Sequence, residues 1–263
     1  QVYFAARSEE TAANAIARTE KEGLGEHPGE LVWLPIDLTD PHQAKAAAER
    51  SIKRENKLDI LEVEAHFAVH ISPFLITRTL LPVMEKTALK PGSDVRIENV
   101  TSVSHRWVPK PQYDSLESSN NDFTNTWRSK LNVYSYTKLA NALWSNELQR
   151  RFDAEKIPIT AMSVHPGKGN VKLFKSLTLG KLINWGFSPV FISPHDDGYT
   201  PTWAAATRQV FEERDKCKGK YLVPYGTIEE VSKDAQREDL AKELYEMIEK
   251  VLKDFDWLEK EMH

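Results

Sequence analysis

Tyr134-Ser135-Tyr136-Thr137-Lys138 is the stretch from which the rest of the chain is read. Tyr134 and Lys138 are four residues apart, so on a helix their side chains share one face, one turn from each other. Leu139, Leu143, Trp144, Leu148 and Phe152 follow at helical spacing and predict an amphipathic helix whose apolar stripe lies against a core. An ammonium beside a phenol favours the phenolate. A tyrosine so placed can exchange a proton with an alcohol or carbonyl near neutral pH. A chance pairing among 8 Tyr and many Lys is the competing reading, and the flanking elements must decide between the two.

Those elements alternate. Val2-Tyr3-Phe4-Ala5-Ala6 reads as a buried strand that leads through Ser8, a helix cap, into a helix ending near Glu22. A strand follows over 31–36, then Asp37-Leu38-Thr39-Asp40, where Thr39 or Asp40 caps a helix with Pro41 in its first turn. Further strands are expected over 58–61, 95–101, 157–164 and 220–223, with a long helix over 65–89 and a tail helix over 235–258. Glu98 is an unexpected charge within its strand. Residues 105–130 read as a polar excursion outside the core. Strands and helices in this alternation indicate an α/β fold with a parallel sheet covered on both faces. One domain over 1–263 is the simplest account.

The totals narrow the function classes. A net charge of −4 with acids and bases intermixed argues against a nucleic-acid partner. No apolar run is long enough to span a bilayer, and no signal-peptide pattern opens the chain. A single cysteine, Cys217, excludes an internal disulfide framework and suits a reducing compartment, so a cytoplasmic protein is expected. His66, His70 and His105 have no metal-ligand spacing with acids or with Cys217, and no metal is expected. The chain opens on Gln1, directly in an apolar stretch, and is expected to lack its natural beginning.

Seven short stretches in order resemble the short-chain dehydrogenase/reductase family, and its retinol-dehydrogenase-like and fungal members in particular. They are Ala5-Ala6-Arg7-Ser8, Asp37-Leu38-Thr39-Asp40, Leu58-Asp59-Ile60-Leu61, Ser72 to Thr77 with Leu80-Leu81-Pro82, Asn99-Val100-Thr101-Ser102, Tyr134 to Asn141, and Val164-His165-Pro166-Gly167. The resemblance covers nearly the whole chain. It implies a Rossmann-like, doubly wound sheet and an NADP-dependent oxidoreductase that interconverts a hydroxyl and a carbonyl on a small or lipophilic substrate. Tyr134 would be the general acid/base, Lys138 would lower its pKa and hold the nicotinamide ribose, and Ser102 would hold the substrate oxygen. Pro166 and Gly167 would bring backbone close to the nicotinamide, and Asp37 would sit by the adenine. Arg7 stands where a carboxylate would accept from a ribose 2′-hydroxyl, and an arginine suits a 2′-phosphate, favouring NADP over NAD. A solvated helix-entry charge stays open for Arg7, a helix N-cap for Asp37 and a backbone-bonded strand end for Ser102. His165 is read as a packed histidine without a catalytic role.

The chain departs from the family at four places. The phosphate-cradling glycine loop and the strand before it, central in the sheet, would precede Val2, and none of the 11 glycines is placed to substitute. Without that strand the sheet is expected to fall into two halves with unsatisfied edges. The family's Asn-Asn-Ala-Gly turn after Leu61 is replaced by Glu62-Val63-Glu64. Val69 and Val171 stand where the family carries an asparagine and a threonine. A catalytically impaired homologue acting as an interaction protein is therefore the alternative function. The apolar patch between Leu179 and Ile192 lies where the family builds its substrate lid, and a core helix is the equal alternative. The tail helix and the Tyr134 helix offer apolar faces that could pair two subunits as a homodimer.

Overall fold

The computed structural model describes residues 1–23, 29–64, 71–119, 123, 129–167 and 198–257. Val69, Val171, the patch between Leu179 and Ile192, and the start of the long helix lie outside the described residues. Strand β1 (Val2–Ala6) pairs in parallel with β2 (Leu31–Pro35). Between them runs α1 (Glu9–Glu22), which starts because the Ser8 hydroxyl accepts from the Thr11 amide at 3.2 Å. Helix α2 (Pro41–Arg54) starts in the same way, with Asp40 accepting from His42 N at 2.9 Å and Pro41 in the first turn.

The larger sheet runs β3 (Ile60–Val63), β4 (Val95–Val100), β5 (Ile159–Val164), β6 (Tyr221–Val223) and β7 (Thr227–Glu229). Its first four strands are parallel, and β7 returns antiparallel to β6. The fold is α/β with a mainly parallel, Rossmann-like sheet. Among the described residues β1–β2 and β3–β7 are separate sheets with no strand pairing between them, the division expected above. Helices α2 and α3 (Ile71–Ala88) pack together and tie the two sheets.

Both faces of the larger sheet are covered. On one face Ile97 and Ala161 meet Phe74, Leu143 and Trp144, from α3 and α5 (Ser129–Glu155). On the other, Met162 and Val164 meet Ala204 of α6 (Tyr199–Ala206) and Val210. Between α3 and α5 lies the short helix α4 (Leu116–Ser119). After α6 come α7 (Arg208–Glu212) and α8 (Arg214–Cys217), and the tail forms α9 (Glu238–Asp254).

Several expectations are corrected. Helix α5 is not amphipathic: beside its apolar stripe it buries Lys138, Asn141, Ser145 and Gln149. These polar residues dock on the sheet's own backbone. Asn141 donates to Val100 O at 2.8 Å, Ser145 to Met162 O at 3.2 Å, and the Gln149 amide oxygen accepts from Ala161 N at 2.8 Å. Strand β3 begins two residues late, because Lys57 and Asp59 pair in solvent and the Leu58 amide turns to the Thr87 hydroxyl. The described part of the excursion over 105–130 is anchored in the core at Tyr113. Tyr113 is fully buried, its hydroxyl donates to Tyr136 O at 2.9 Å, and Tyr136 in turn donates to Gln112 O; tyrosine can be buried this way because it brings a donor that finds a partner. The apolar face of α9, with Leu240, Leu244, Ile248 and Leu252, packs into the core that α5 builds. Those two faces therefore cover each other within one chain and are not open to a second subunit. No helix among the described residues is long and apolar enough to cross a membrane.

The two charges in β4 are handled differently. Arg96, 2% exposed, donates to Ala204 O, to Ala205 O at 3.0 Å and to Thr207 O at 2.8 Å, and pairs with Asp94. It thereby closes the C-terminal end of α6, where carbonyls lack helical partners. Glu98 lies opposite Glu62 and Met162 in the neighbouring strands, fully buried, with neither carboxylate oxygen hydrogen-bonded among the described residues. Burial first, and the Glu62 charge second, push its pKa well above the carboxylate range. A protonated, neutral Glu98 is the form such a site tolerates.

Candidate active site

The site forms where β4 ends. The β4–β5 ladder continues one step past β4, with Thr101 N donating to Val164 O at 2.7 Å. The chain then turns at Ser102, whose backbone is extended (φ −155°) and whose hydroxyl accepts from Ser104 N at 3.3 Å. A 3-10 turn, Val103–Trp107, follows. Helix α5 is held over this edge by three bonds. Thr101 Oγ1 donates to Lys138 O at 2.7 Å, and Lys138 Nζ and Asn141 Nδ2 both donate to Val100 O, at 2.9 and 2.8 Å. Lys138 is 1% exposed, and its Nζ lies 5.5 Å from the centre of the Tyr134 ring. The Tyr134 and Ser102 side chains are hydrogen-bonded to each other. Ser102, Tyr134 and Lys138 are thus brought together, and Ser102 also caps the 3-10 turn.

The electrostatics differ from the simple expectation. The Tyr134 phenol is held above its ordinary value rather than below it. Burial is the main cause; the Ser102 bond pulls it down and the Glu64 carboxylate pushes it up. Lys138 spends its ammonium on the Val100 carbonyl, and burial lowers its own pKa to about 8, against the opposing charge of Glu64. Sequence reasoning named Glu64 only within the replaced turn and gave it no role. Val63 pairs with Asn99, so the next residue reaches the carboxyl edge beside Val100, where Lys138 is anchored. Only pairing register could have found it.

His105 is the second group missed. Its Nε2 accepts from Ser232 N at 3.0 Å, which leaves the hydrogen on Nδ1 to be donated to Ser102 O at 2.6 Å. It therefore fixes the residue that carries the site's serine hydroxyl. Burial, with Arg106 as a smaller cause, lowers its pKa to about 4. The folded protein refuses a proton that the unfolded chain accepts near pH 6.5. The stability this contributes is complete above about pH 6.5 and is lost as pH falls toward 4. The stability advantage of the wild type over His105→Asn, measured by urea denaturation at successive pH values, should shrink over that window by roughly 3 kcal/mol. An advantage that does not change with pH would show that His105 is not the group responsible.

The other expected residues fall in two places. Pro166 and Gly167 follow β5 and are half-buried, and Gly167 has φ +136°, a conformation that side chains disfavour. His165 is buried, its ring parallel to the Tyr221 ring at 6.3 Å between centroids. Arg7 and Asp37 lie in the smaller sheet, at the carboxyl ends of β1 and β2. Asp37 is not a helix cap. It folds its own turn, accepting from Thr39 N and Thr39 Oγ1, both at 2.8 Å. Those bonds, and after them the Arg7 charge, hold its pKa down. Arg7 and Asp37 thus lie near each other at the edge of the smaller sheet, while Ser102, Tyr134 and Lys138 gather at the edge of the larger one.

No family model matches the chain. It is 53% identical to a short-chain dehydrogenase/reductase of Armillaria gallica, the alignment covering 98% of this chain and 86% of the relative. It is 31% identical to a short-chain dehydrogenase/reductase of Colletotrichum higginsianum, over 99% and 70%. Among solved structures, NADPH-bound carbonyl reductase from chicken fatty liver superposes with a TM-score of 0.58 at 18% identity, covering 88% of this chain and 87% of that one. The NADP complex of RhlG from Pseudomonas aeruginosa gives a TM-score of 0.59 at 16% identity, over 84% of each chain. At these identities the two structures speak for the fold alone.

Proposed function

Because the chain belongs to the short-chain dehydrogenase/reductase family, a family of oxidoreductases, we propose that it interconverts a hydroxyl and a carbonyl on a small or lipophilic substrate with NADP(H). The observation that carries this reading is the joining of the Tyr134 hydroxyl to Ser102 with Lys138 one helical turn away. Whether the residues fit a dinucleotide can be asked of Lys138. Its only hydrogen-bond acceptor among the described residues is Val100 O. The ammonium has three N–H groups, so a nearly buried cation keeps donors for a sugar hydroxyl. Arg7, exposed at the end of β1, suits a 2′-phosphate better than an unphosphorylated ribose.

A nicotinamide, when bound, supplies or accepts the hydride. The chain's own residues handle the oxygen and the proton. Ser102 Oγ donates a hydrogen bond to the substrate oxygen, and Tyr134 Oη passes its proton to that oxygen as negative charge develops on it. With its pKa held up, Tyr134 carries that proton at neutral pH, which favours carbonyl reduction there and alcohol oxidation at higher pH. Cys217, the single cysteine, is buried and unbridged, in keeping with the cytoplasmic, reducing setting we propose.

NADPH should raise the melting temperature, since a ligand that binds only the native state stabilises it by about 2.7 kcal/mol at 100 times Kd. NADH should do so less, and Arg7→Ala should narrow the gap. No shift at millimolar NADPH would transfer support to a catalytically impaired homologue that acts as an interaction protein.

A further inference from the structure

Glu98 stands on the face of β4 that α6 covers. Arg96, two residues earlier and so on the same face, reaches Ala204 O, and Met162, opposite Glu98 in β5, packs in one cluster with Ala204. Helix α6 lies against β3 as well. The Glu98 side chain is 0% exposed, and neither carboxyl oxygen has a hydrogen-bond partner among the described residues. The nearest cation along the strand, Arg96, is committed to the carbonyls at 204, 205 and 207 and to Asp94. Directly across the ladder in β3 stands a second acid, the exposed Glu62, and Glu64 two residues on adds its charge to that side. The other neighbours bring no compensating charge. β5 brings Met162, α6 brings Tyr199 at its exposed first position, and burial keeps the Cys217 thiol of α8 neutral. A carboxylate in such a place costs far more than a neutral acid.

We propose that Glu98 is a proton-operated latch between the larger sheet and α6. Neutral, it packs as an uncharged side chain, and α6 closes over β3 and β4. When its proton leaves to solvent past Glu62, the carboxylate must be hydrated, and two like charges then face each other across the ladder. Both effects lift α6 from that face. The strand so loosened runs on to Val100, whose carbonyl holds Lys138 and Asn141, and to Ser102. The latch therefore sets the upper pH at which the site stays assembled. Burial first and Glu62 second favour the protonated form, with Arg96 opposing them. The folded chain keeps a proton that the unfolded chain releases near about pH 4.3. The stability this contributes is full below that pH and is lost as pH rises through the folded-state value.

The test is urea denaturation of the full chain and of Glu98→Gln, which keeps the shape but cannot ionise, in steps from about pH 5 to about pH 9. The ratio of the two unfolding constants should move about tenfold per pH unit in favour of the variant, levelling off once Glu98 ionises in the folded chain. The cost of burying an amide is the same at every pH and leaves that slope unchanged. A ratio that does not vary with pH would overturn the proposal. Hydrogen exchange separates a latch from a charge with only local effect. After correction for the intrinsic rate, the amides of Trp203 to Ala206 should open more readily in the wild type as pH rises, and should not in Glu98→Gln. Equal behaviour of α6 in the two proteins would mean that nothing is latched, and the proposal would fall. Should Glu98→Gln not fold, the wild type decides alone. Its infrared spectrum at about pH 7, where ordinary carboxyls are ionised, should show the carbonyl stretch of a protonated acid that fades in step with the opening of α6. Absence of that band would show an ionised Glu98 and refute the latch. None of these readouts needs turnover or cofactor, so they stand whether or not Tyr134 is the acid/base.

Discussion

Replacing Tyr134 by phenylalanine is expected to lower kcat by about 10²–10⁴-fold, the range over which a positioned acid/base contributes. The ring remains, so its place one turn from Lys138 and its packing persist. The Lys138–Val100 bond at 2.9 Å does not involve the phenol. NADPH affinity, read from the thermal shift, should change by less than threefold, and a change confined to kcat separates lost chemistry from lost binding. The pH dependence adds an independent check. Burial and Glu64 hold the phenol's proton on, so alcohol oxidation by the wild type should rise with pH above neutrality. The residual rate of the variant should not follow it. A variant within tenfold of the wild type would remove Tyr134 from the reaction and leave the fold-level kinship untouched.

The second large effect concerns stability. Arg96→Met should cost about 2–4 kcal/mol, since carbonyls at the end of α6 lose a charged hydrogen-bond donor. The side chain is 2% exposed and joins the start of β4 to the end of α6 through carbonyls at 204, 205 and 207. Methionine fills much of the volume but offers no donor. The α6 carbonyls, which have no successor turn to bond, would be left without partners. Equilibrium urea denaturation reads this directly, and a loss below about 1 kcal/mol would mean that water replaces the guanidinium at little cost. Because α6 covers the face of the sheet opposite α5, turnover should fall only as far as the folded fraction does.

Much of the fold was legible in the residues. The caps at Ser8 and Asp40 are local events, decided by a side chain and an amide two or three positions away, and they lie where the spacing put them. The division into a two-stranded and a five-stranded sheet follows from strand order, and it was anticipated. Helix α5 was misjudged because its polar stripe looks solvated on a helical wheel. Lys138, Asn141, Ser145 and Gln149 are spaced three, four and four apart, and only the sheet's edge explains where their bonds go. The described part of the segment over 105–130 was misjudged for a related reason, since polar side chains were taken as surface while Tyr113 and Tyr136 satisfy each other's segments indoors.

By itself the sequence determined the kinship, the α/β class and the pairing of a phenol with an amine one turn apart, because order and helical periodicity are properties of the chain read along its length. Only the tertiary structure decided what surrounds that pair: Glu64 by strand register and His105 behind Ser102. The physical reason is that protonation and hydrogen bonding depend on burial and on which distant segments meet. Neither has any signature in the spacing of residues along one strand or helix.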